Sequence, residues 1–348
     1  MLLQIIETLI VGVAGGSLFF HMHTPLPWML GALTGVLLWS WLAKRRVCWP
    51  IQFANIGQVV IGYTIGRTFT PETCHQILIQ LPVMLLVTVV TVVFSLMMGY
   101  LTHKQTGITL ESSLIGSIPG GLTQVAVLCR EVPRTDLTVV TLMQTARLLA
   151  VVFVVPFLAV HGLSPGHALS PAAPAATDIS GAFNLGQSFI IGGIVIFSAI
   201  AAWKLKMPTP FLLGAVVGAA GIALSGMPVP QVPQGYLDGA QLCIGAYTGA
   251  RIKFANMENW RRISFYTMLG VAALLLCSLG IGFLLMHFHG LSLVTAFLCT
   301  APGGMAEMGL TAMLLKADLS VIVAFQLFRL LFILLILPPI LKWWLARQ

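Results

Sequence analysis

The run Ser117-Ile118-Pro119-Gly120-Gly121-Leu122-Thr123-Gln124 returns as Thr300-Ala301-Pro302-Gly303-Gly304-Met305-Ala306-Glu307, 183 residues later. Both copies sit inside strongly apolar sequence. Proline has no N–H to give and glycine disfavours helix, so each copy frees backbone groups from helical bonding. Hydrocarbon cannot satisfy such groups. A break there must be buried in protein or line a cavity. Paired breaks at matching places in the two halves of a membrane chain point to a transport site.

Composition makes the membrane the relevant solvent. The 348 residues are 58% hydrophobic and 8% charged, with mean hydropathy +0.96. A soluble domain carries roughly 25% charged residues. Many apolar runs approach the ~20 residues needed to cross a bilayer. The chain therefore reads as an all-α polytopic membrane protein with no room for a soluble domain of ordinary size. The formal charge of +8 falls largely in short loops, where it sets orientation and is no nucleic-acid footprint. Leu2 to Phe20 lacks a basic start and a small-residue cleavage site, so a retained helix is expected. Cys48, Cys74, Cys129, Cys243, Cys277 and Cys299 show no CxxC or zinc spacing and read as structural residues of apolar helices.

The duplication extends beyond the motif. Pro27-Trp28-Met29-Leu30-Gly31-Ala32 matches Pro210-Phe211-Leu212-Leu213-Gly214-Ala215. Gln58 and Gly62 match Gln241 and Gly245, and Tyr63-Thr64-x-x-Arg67 matches Tyr247-Thr248-x-x-Arg251 after a one-residue shift. Asp136-Leu137, Gln144, Arg147 and Pro156 match Asp318-Leu319, Gln326, Arg329 and Pro338. Such order and spacing implies an internal repeat. The expected organisation is a first membrane repeat at 1–161, a Pro/Ala/Ser/Gly-rich flexible linker at 162–184 and a second membrane repeat at 185–348. The apolar segments run roughly 3–20, 27–43, 51–67, 81–101, 107–130 and 136–161, then 186–203, 210–226, 237–251, 267–289, 291–315 and 318–341. Gly31/Gly35, Gly62/Gly66, Gly214/Gly218 and Gly245/Gly249 have the small-x3-small spacing of close helix packing, though ordinary small residues of membrane helices would read the same.

Charge decides the orientation. If all six segments of a half crossed, the halves would face the same way. Yet basic residues follow segment 2 in the first half (Lys44, Arg45, Arg46) and segments 1 and 3 in the second (Lys204, Lys206; Arg251, Lys253, Arg261, Arg262). Letting each Pro-Gly-Gly segment enter and return on one side restores consistency. With both termini cytoplasmic, 14 of the 18 Lys and Arg then face inward, leaving only Arg67 and Lys316 outside and Arg147 and Arg329 within the membrane. The expectation is two inverted repeats, each with about five crossing helices plus one broken or re-entrant Pro-Gly-Gly segment. A fully crossing, unwound segment would instead require another segment not to cross.

The candidate binding residues follow. Arg147 and Arg329 lie 11 residues beyond an aspartate, about 16 Å along a helix and near the midplane of a ~30 Å core. Gln144 and Gln326 precede them by three and share their helix face. Two readings stand: the arginines bind a substrate or anion, or each caps carbonyls of its own broken segment. Pro119, Gly120, Gly121, Pro302, Gly303 and Gly304 form the breaks, and a half-helix starting there offers free N–H groups to an anion. A carboxylate would suit the guanidinium fork. Gln124 in the first copy stands where Glu307 stands in the second. Glu307 could carry a coupling proton or a sodium ion, or serve as a fixed partner of Arg147 or Arg329.

Little points to an enzyme. No P-loop, nucleotide fingerprint, nucleophile elbow or HExxH is present, and no cofactor is expected. The pairs His21/His23 and His287/His289 do not correspond in the repeat, so no metal site is assigned.

The Pro302-Gly303-Gly304-x-x-Glu307-Met308 run, Asp318 and Gln326-x-x-Arg329 resemble the AbrB-type duplicated membrane proteins of Gram-negative bacteria, over nearly the whole chain. These are distinct from the small DNA-binding regulator of the same name. The resemblance implies a bacterial inner-membrane protein. The family name implies regulation of aidB, an alkylation-response gene, while members are also labelled ammonia monooxygenases or transporters. The first repeat departs from the Glu-bearing motif at Gln124, so any role for that acid rests on Glu307 alone. The leading expectation is a secondary transporter of a small anionic solute, with a homodimer as a candidate assembly and no direct nucleic-acid contact. The alternatives are a membrane-bound regulator or sensor affecting aidB expression and, third, a copper-dependent monooxygenase.

Overall fold

Local backbone chemistry repeats along the chain with the period of the sequence duplication. The computed structural model describes residues 2–43, 47–120, 125, 128, 129, 132, 134–163, 185–252 and 259–345. The linker positions 164–184, Gly121, Gln124 and the basic residues Lys44, Arg45, Arg46, Arg130, Lys253 and Arg347 lie outside them. Among the described residues regular structure is helical throughout. The first half holds α1 (Leu2–His21), α2 (Pro27–Leu42), α3 (Ile51–Gly66), α4 (Pro71–Thr106), α5 (Leu110–Ser117) and α6 (Leu137–His161). The second holds α7 (Leu185–Lys204), α8 (Pro210–Leu224), α9 (Gln234–Arg251), α10 (Trp260–His289), α11 (Leu293–Thr300), α12 (Met305–Leu314), α13 (Leu319–Leu335) and α14 (Leu337–Leu345).

Matching helices begin for matching reasons. α2 and α8 each start with proline, where a missing N–H costs no helical bond. The residues before them, Leu26 (φ 50°) and Thr209 (φ 42°), both turn the chain through the left-handed region. α3 and α9 both follow an extended proline, Pro50 and Pro233. Asp136 opens α6 as an N-cap, its Oδ1 accepting the Thr138 N–H at 2.8 Å.

Five described spans are long and apolar enough to cross a membrane: Leu3–His21, Pro71–Thr106, Leu137–His161, Trp260–His289 and Leu319–Leu341. Shorter apolar helices accompany them, α2 and α8 among them. The chain is an all-α polytopic membrane protein. Two expected segments need correction. The expected segments 81–101 and 267–289 are parts of longer helices, α4 and α10, because an apolar run marks only the part of a helix that lipid covers. The expected segment 318–341 holds as one apolar span, Leu319–Leu341, with a one-residue break at 336 between α13 and α14. Pro338 and Pro339 there have no N–H for the carbonyls of Leu334 and Leu335.

The helices group into two compact units, each drawing on both sequence halves. The first comprises Met1–Gln76, Val160–Lys253 and Ala306–Ser320. Glycine lets its helices approach backbone to backbone. A Cβ on Gly62 of α3 would stand 2.5 Å from the Leu212 carbonyl oxygen of α8, and one on Gly249 of α9 2.6 Å from that of Leu33 in α2. Gly214 and Gly218 press likewise on Ser198 and Ala199 of α7, and Gly31 and Gly35 on α1. All four small-x3-small pairs are therefore helix crossings, and α3 and α9 each pack on the segment-2 helix of the opposite repeat.

The second unit comprises Ile77–Ala159, Phe254–Met305 and Val321–Gln348. Its core joins Ile115 and Ile118 at the first break to Val92 of α4, Val140 of α6, Ile333 of α13 and Leu337 and Leu341 of α14. Residues of both repeats thus share one apolar interior around the first Pro-Gly-Gly motif.

Gly62→Ala should lower the melting temperature in detergent, a loss of about 1–3 kcal/mol, since backbone must move. Gly239→Ala in α9, where nothing lies within 4 Å, should be neutral or slightly stabilising. Equal melting temperatures for the two variants would contradict the packing.

Candidate functional site

Each break is a helix stopped by Pro-Gly-Gly and held by a glutamine and an arginine from the following long helix. α5 and α11 both have eight residues, about 12 Å of helix and too short to cross. Both end on an extended residue, Ile118 (ψ 130°) and Ala301 (ψ 135°), as the residue before proline must. The Gly120 N–H then turns back to the Ile118 carbonyl at 2.8 Å, and the Gly303 N–H to that of Ala301 at 2.9 Å. These three-residue turns centred on proline leave the last carbonyls of the helix without helical partners.

In the first copy, Gln144 Nε2 donates to the carbonyls of Ile118 (2.9 Å) and Gly116 (3.1 Å). Arg147 Nη1 donates to the Ile118 carbonyl, and Nη2 to that of Gly120 at 3.1 Å. Nη2 also donates to Gln144 Oε1 at 2.6 Å. The glutamine gives hydrogens to the chain and receives one from the arginine, which fixes the guanidinium plane.

The second copy repeats the arrangement, with one glutamine contact shifted by a residue. Gln326 Nε2 donates to the carbonyls of Leu298 (2.7 Å) and Ala301 (3.2 Å). Arg329 Nη1 donates to the Ala301 carbonyl at 2.6 Å, and Nη2 to that of Gly303 at 2.7 Å and to Gln326 Oε1. The side chains are buried: Gln144 is 1% exposed, Arg147 8%, Gln326 2% and Arg329 6%. Gly120 lies beside Ile333, one turn beyond Arg329.

Of the two readings open for the arginines, capping of their own broken segments is what the contacts display. The partners named above are all neutral, so the two positive charges are dispersed over carbonyl dipoles rather than cancelled. The sequence did not single out the residues that complete each staple. Ser95 Oγ of α4 donates to the Ser117 carbonyl at 2.5 Å, and Ser278 Oγ of α10 to that of Thr300 at 3.2 Å. These serines obey the same 183-residue offset, as do Gly99 and Gly282, which face the two short helices. That register, carried into segment 4, would have found them.

Of the predicted residues, Pro119, Gly120, Gln144 and Arg147 gather at one break, and Pro302, Gly303, Gly304, Gln326 and Arg329 belong to the other. Glu307 stands in the first turn of α12, where a helix N-terminus favours an acid; it belongs to the first unit, whereas Gly304 belongs to the second. Gly121 and Gln124 fall outside the described residues. Among the described residues no three of His, Cys, Asp and Glu gather for a metal ion, and the His21/His23 and His287/His289 pairs form no such group.

Arg147→Ala and Arg329→Ala should each leave buried carbonyls without their donor. The expected cost is about 3–5 kcal/mol, read as a large fall in melting temperature in detergent. Lysine at either place should rescue only in part, because it cannot fork. An unchanged melting temperature would refute the capping role.

Comparison with known proteins places nearly the whole chain in one family. A family model described as "Transition state regulatory protein AbrB" matches residues 28–345. "Uncharacterized protein YhjN" of Bacillus subtilis (strain 168) is 26% identical over 94% of this chain and 90% of its own length. "Putative regulator AbrB" of Escherichia coli (strain K12) is 23% identical over 92% of this chain and 91% of its own.

Proposed function

We propose that this chain, which belongs to the AbrB family, is a secondary transporter of a small anionic solute in the bacterial inner membrane. One observation carries the reading: two matching helix breaks in apolar sequence, each with a buried arginine whose named partners are neutral. Broken membrane helices are where transporters build binding sites. An intramembrane arginine is costly and is by default functional. The guanidinium groups offset the negative carbonyl ends of α5 and α11, so a segment starting after a break presents its positive end uncompensated. That field suits an anion, and a small carboxylate matches guanidinium geometry.

In this reading Glu307 carries the coupling proton or sodium ion. Both termini are cytoplasmic, and the Pro-Gly-Gly segments enter from opposite faces. The protein is no enzyme, binds no nucleic acid directly, and works within the bilayer as a homodimer. A regulator of aidB expression is the second reading; the name of the Escherichia coli relative, "Putative regulator AbrB", favours regulation. A transport-dead variant that still restored aidB expression in a deletion strain would select regulation.

Purified protein in liposomes should take up a small carboxylate or inorganic anion. Gln326→Glu, which places a carboxylate against Arg329 and cancels its charge, should reduce uptake at least tenfold in protein of unchanged elution profile. Full uptake by that variant would remove the arginine from the substrate's path, and no uptake of any anion by the wild type would remove the substrate class. Glu307→Gln should abolish the response to an imposed proton or sodium gradient. Lys104→Cys and Lys316→Cys should label from opposite faces; same-face labelling would contradict the inverted arrangement.

A further inference from the structure

A cavity of about 30 Å³ lies beside the first staple, between α4, α5, α6 and α10 of the second unit. Arg147, Ser95, Thr102, Ser117 and Thr267 are among the residues that line it, with Met98, Met143, Val271 and Leu274. Except for Ser117, the polar residues named are more than nine-tenths buried. The hydroxyl hydrogens are already committed. Ser95 donates to the Ser117 carbonyl (2.5 Å), Thr102 to Met98 (2.9 Å), Ser117 to Leu114 (2.8 Å) and Thr267 to Ile263 (2.8 Å). With its hydrogen used, each hydroxyl has only lone pairs left to offer.

The occupant must therefore bring hydrogens, and the Arg147 charge excludes a cation. The cavity exceeds the roughly 10–15 Å³ that one water needs, and several polar partners are in reach. We propose that it is a built hydration site holding one or two waters against the Arg147 staple. The site concerns the resting molecule and stands whether or not the chain transports.

The second staple differs in space. Where the first has Gly116, Met143 and Gly270, the matching positions carry Cys299, Phe325 and Val87, all buried. Thr267 is matched by Met84, 1% exposed. At these four positions the second copy carries the larger side chain. Hydration makes the two staples unequal. Water beside Arg147 can take over its hydrogen bonds when a carbonyl leaves, whereas carbonyls released at Arg329 would stay unpaired. The first break is the one able to rearrange at low cost, and the second is the fixed one.

X-ray radiolysis of the full protein in detergent tests this, because radicals made from bound water oxidise adjacent methionine. Met143 lines the cavity and is 1% exposed; Met84 and Met29, 1% and 2% exposed, are the dry controls. Met143 should be oxidised at least tenfold faster than either. Gly270→Val should slow Met143 to the control rate, since a Cβ there meets Met98 at an ordinary 3.4 Å and the added methyl groups enter the cavity. Should that variant not fold, Thr267→Met, which copies the second repeat, should do the same. Met143 oxidising as slowly as the controls in the wild type, or undiminished in a folded filled variant, would overturn the proposal.

Discussion

A helix broken in hydrocarbon leaves carbonyl groups that lipid cannot satisfy, and the architecture answers that constraint twice with one device. Arg147 and Arg329 reach from long helices to the ends of α5 and α11, while Gln144 and Gln326 lock their planes. The Pro-Gly-Gly motifs need these partners, since proline and glycine stop a helix without supplying a cap. The partners in turn need the break, since a buried guanidinium without acceptors would be ruinous. Motif and staple are therefore one unit, and the duplication kept both.

The scaffold around the breaks divides the work. In one unit, glycine at crossing points brings α3 onto α8 and α9 onto α2 with almost no side chain between them. In the other, long α4 and α10 present Ser95 and Ser278 to the carbonyls at Ser117 and Thr300. Near-identical backbone frames carry unlike fillings: Gly116 and Met143 at one staple, Cys299 and Phe325 at the other. Pseudo-symmetry fixes where the chemistry can happen. Side-chain volume and the Gln124/Glu307 difference then set the copies apart.

Much of this was legible in the sequence because membrane folding leaves few options. A break in apolar sequence must be satisfied internally, which made Pro119, Gly120, Pro302 and Gly303 visible, and intramembrane charge made Arg147 and Arg329 visible. Both ends of α4 and the start of α10 were not, since those turns leave the apolar run while the backbone bonds continue. Ser95 and Ser278 were hidden because one serine on a long membrane helix looks like any other until its register against the break is known. The grouping of helices from both halves into two units was illegible too, because it depends on which glycine faces which backbone. Chain order ends the first repeat before the linker, whereas packing joins Ile115 to Ile333 and Leu337.

Hydrogen exchange by mass spectrometry tests the central claim, that each arginine holds its own break. Arg329→Met should deprotect the peptide amides of 293–305 and leave 110–120 as in the wild type, and Arg147→Met should do the converse. Exchange unchanged at both breaks, or rising equally at both in either variant, would contradict it.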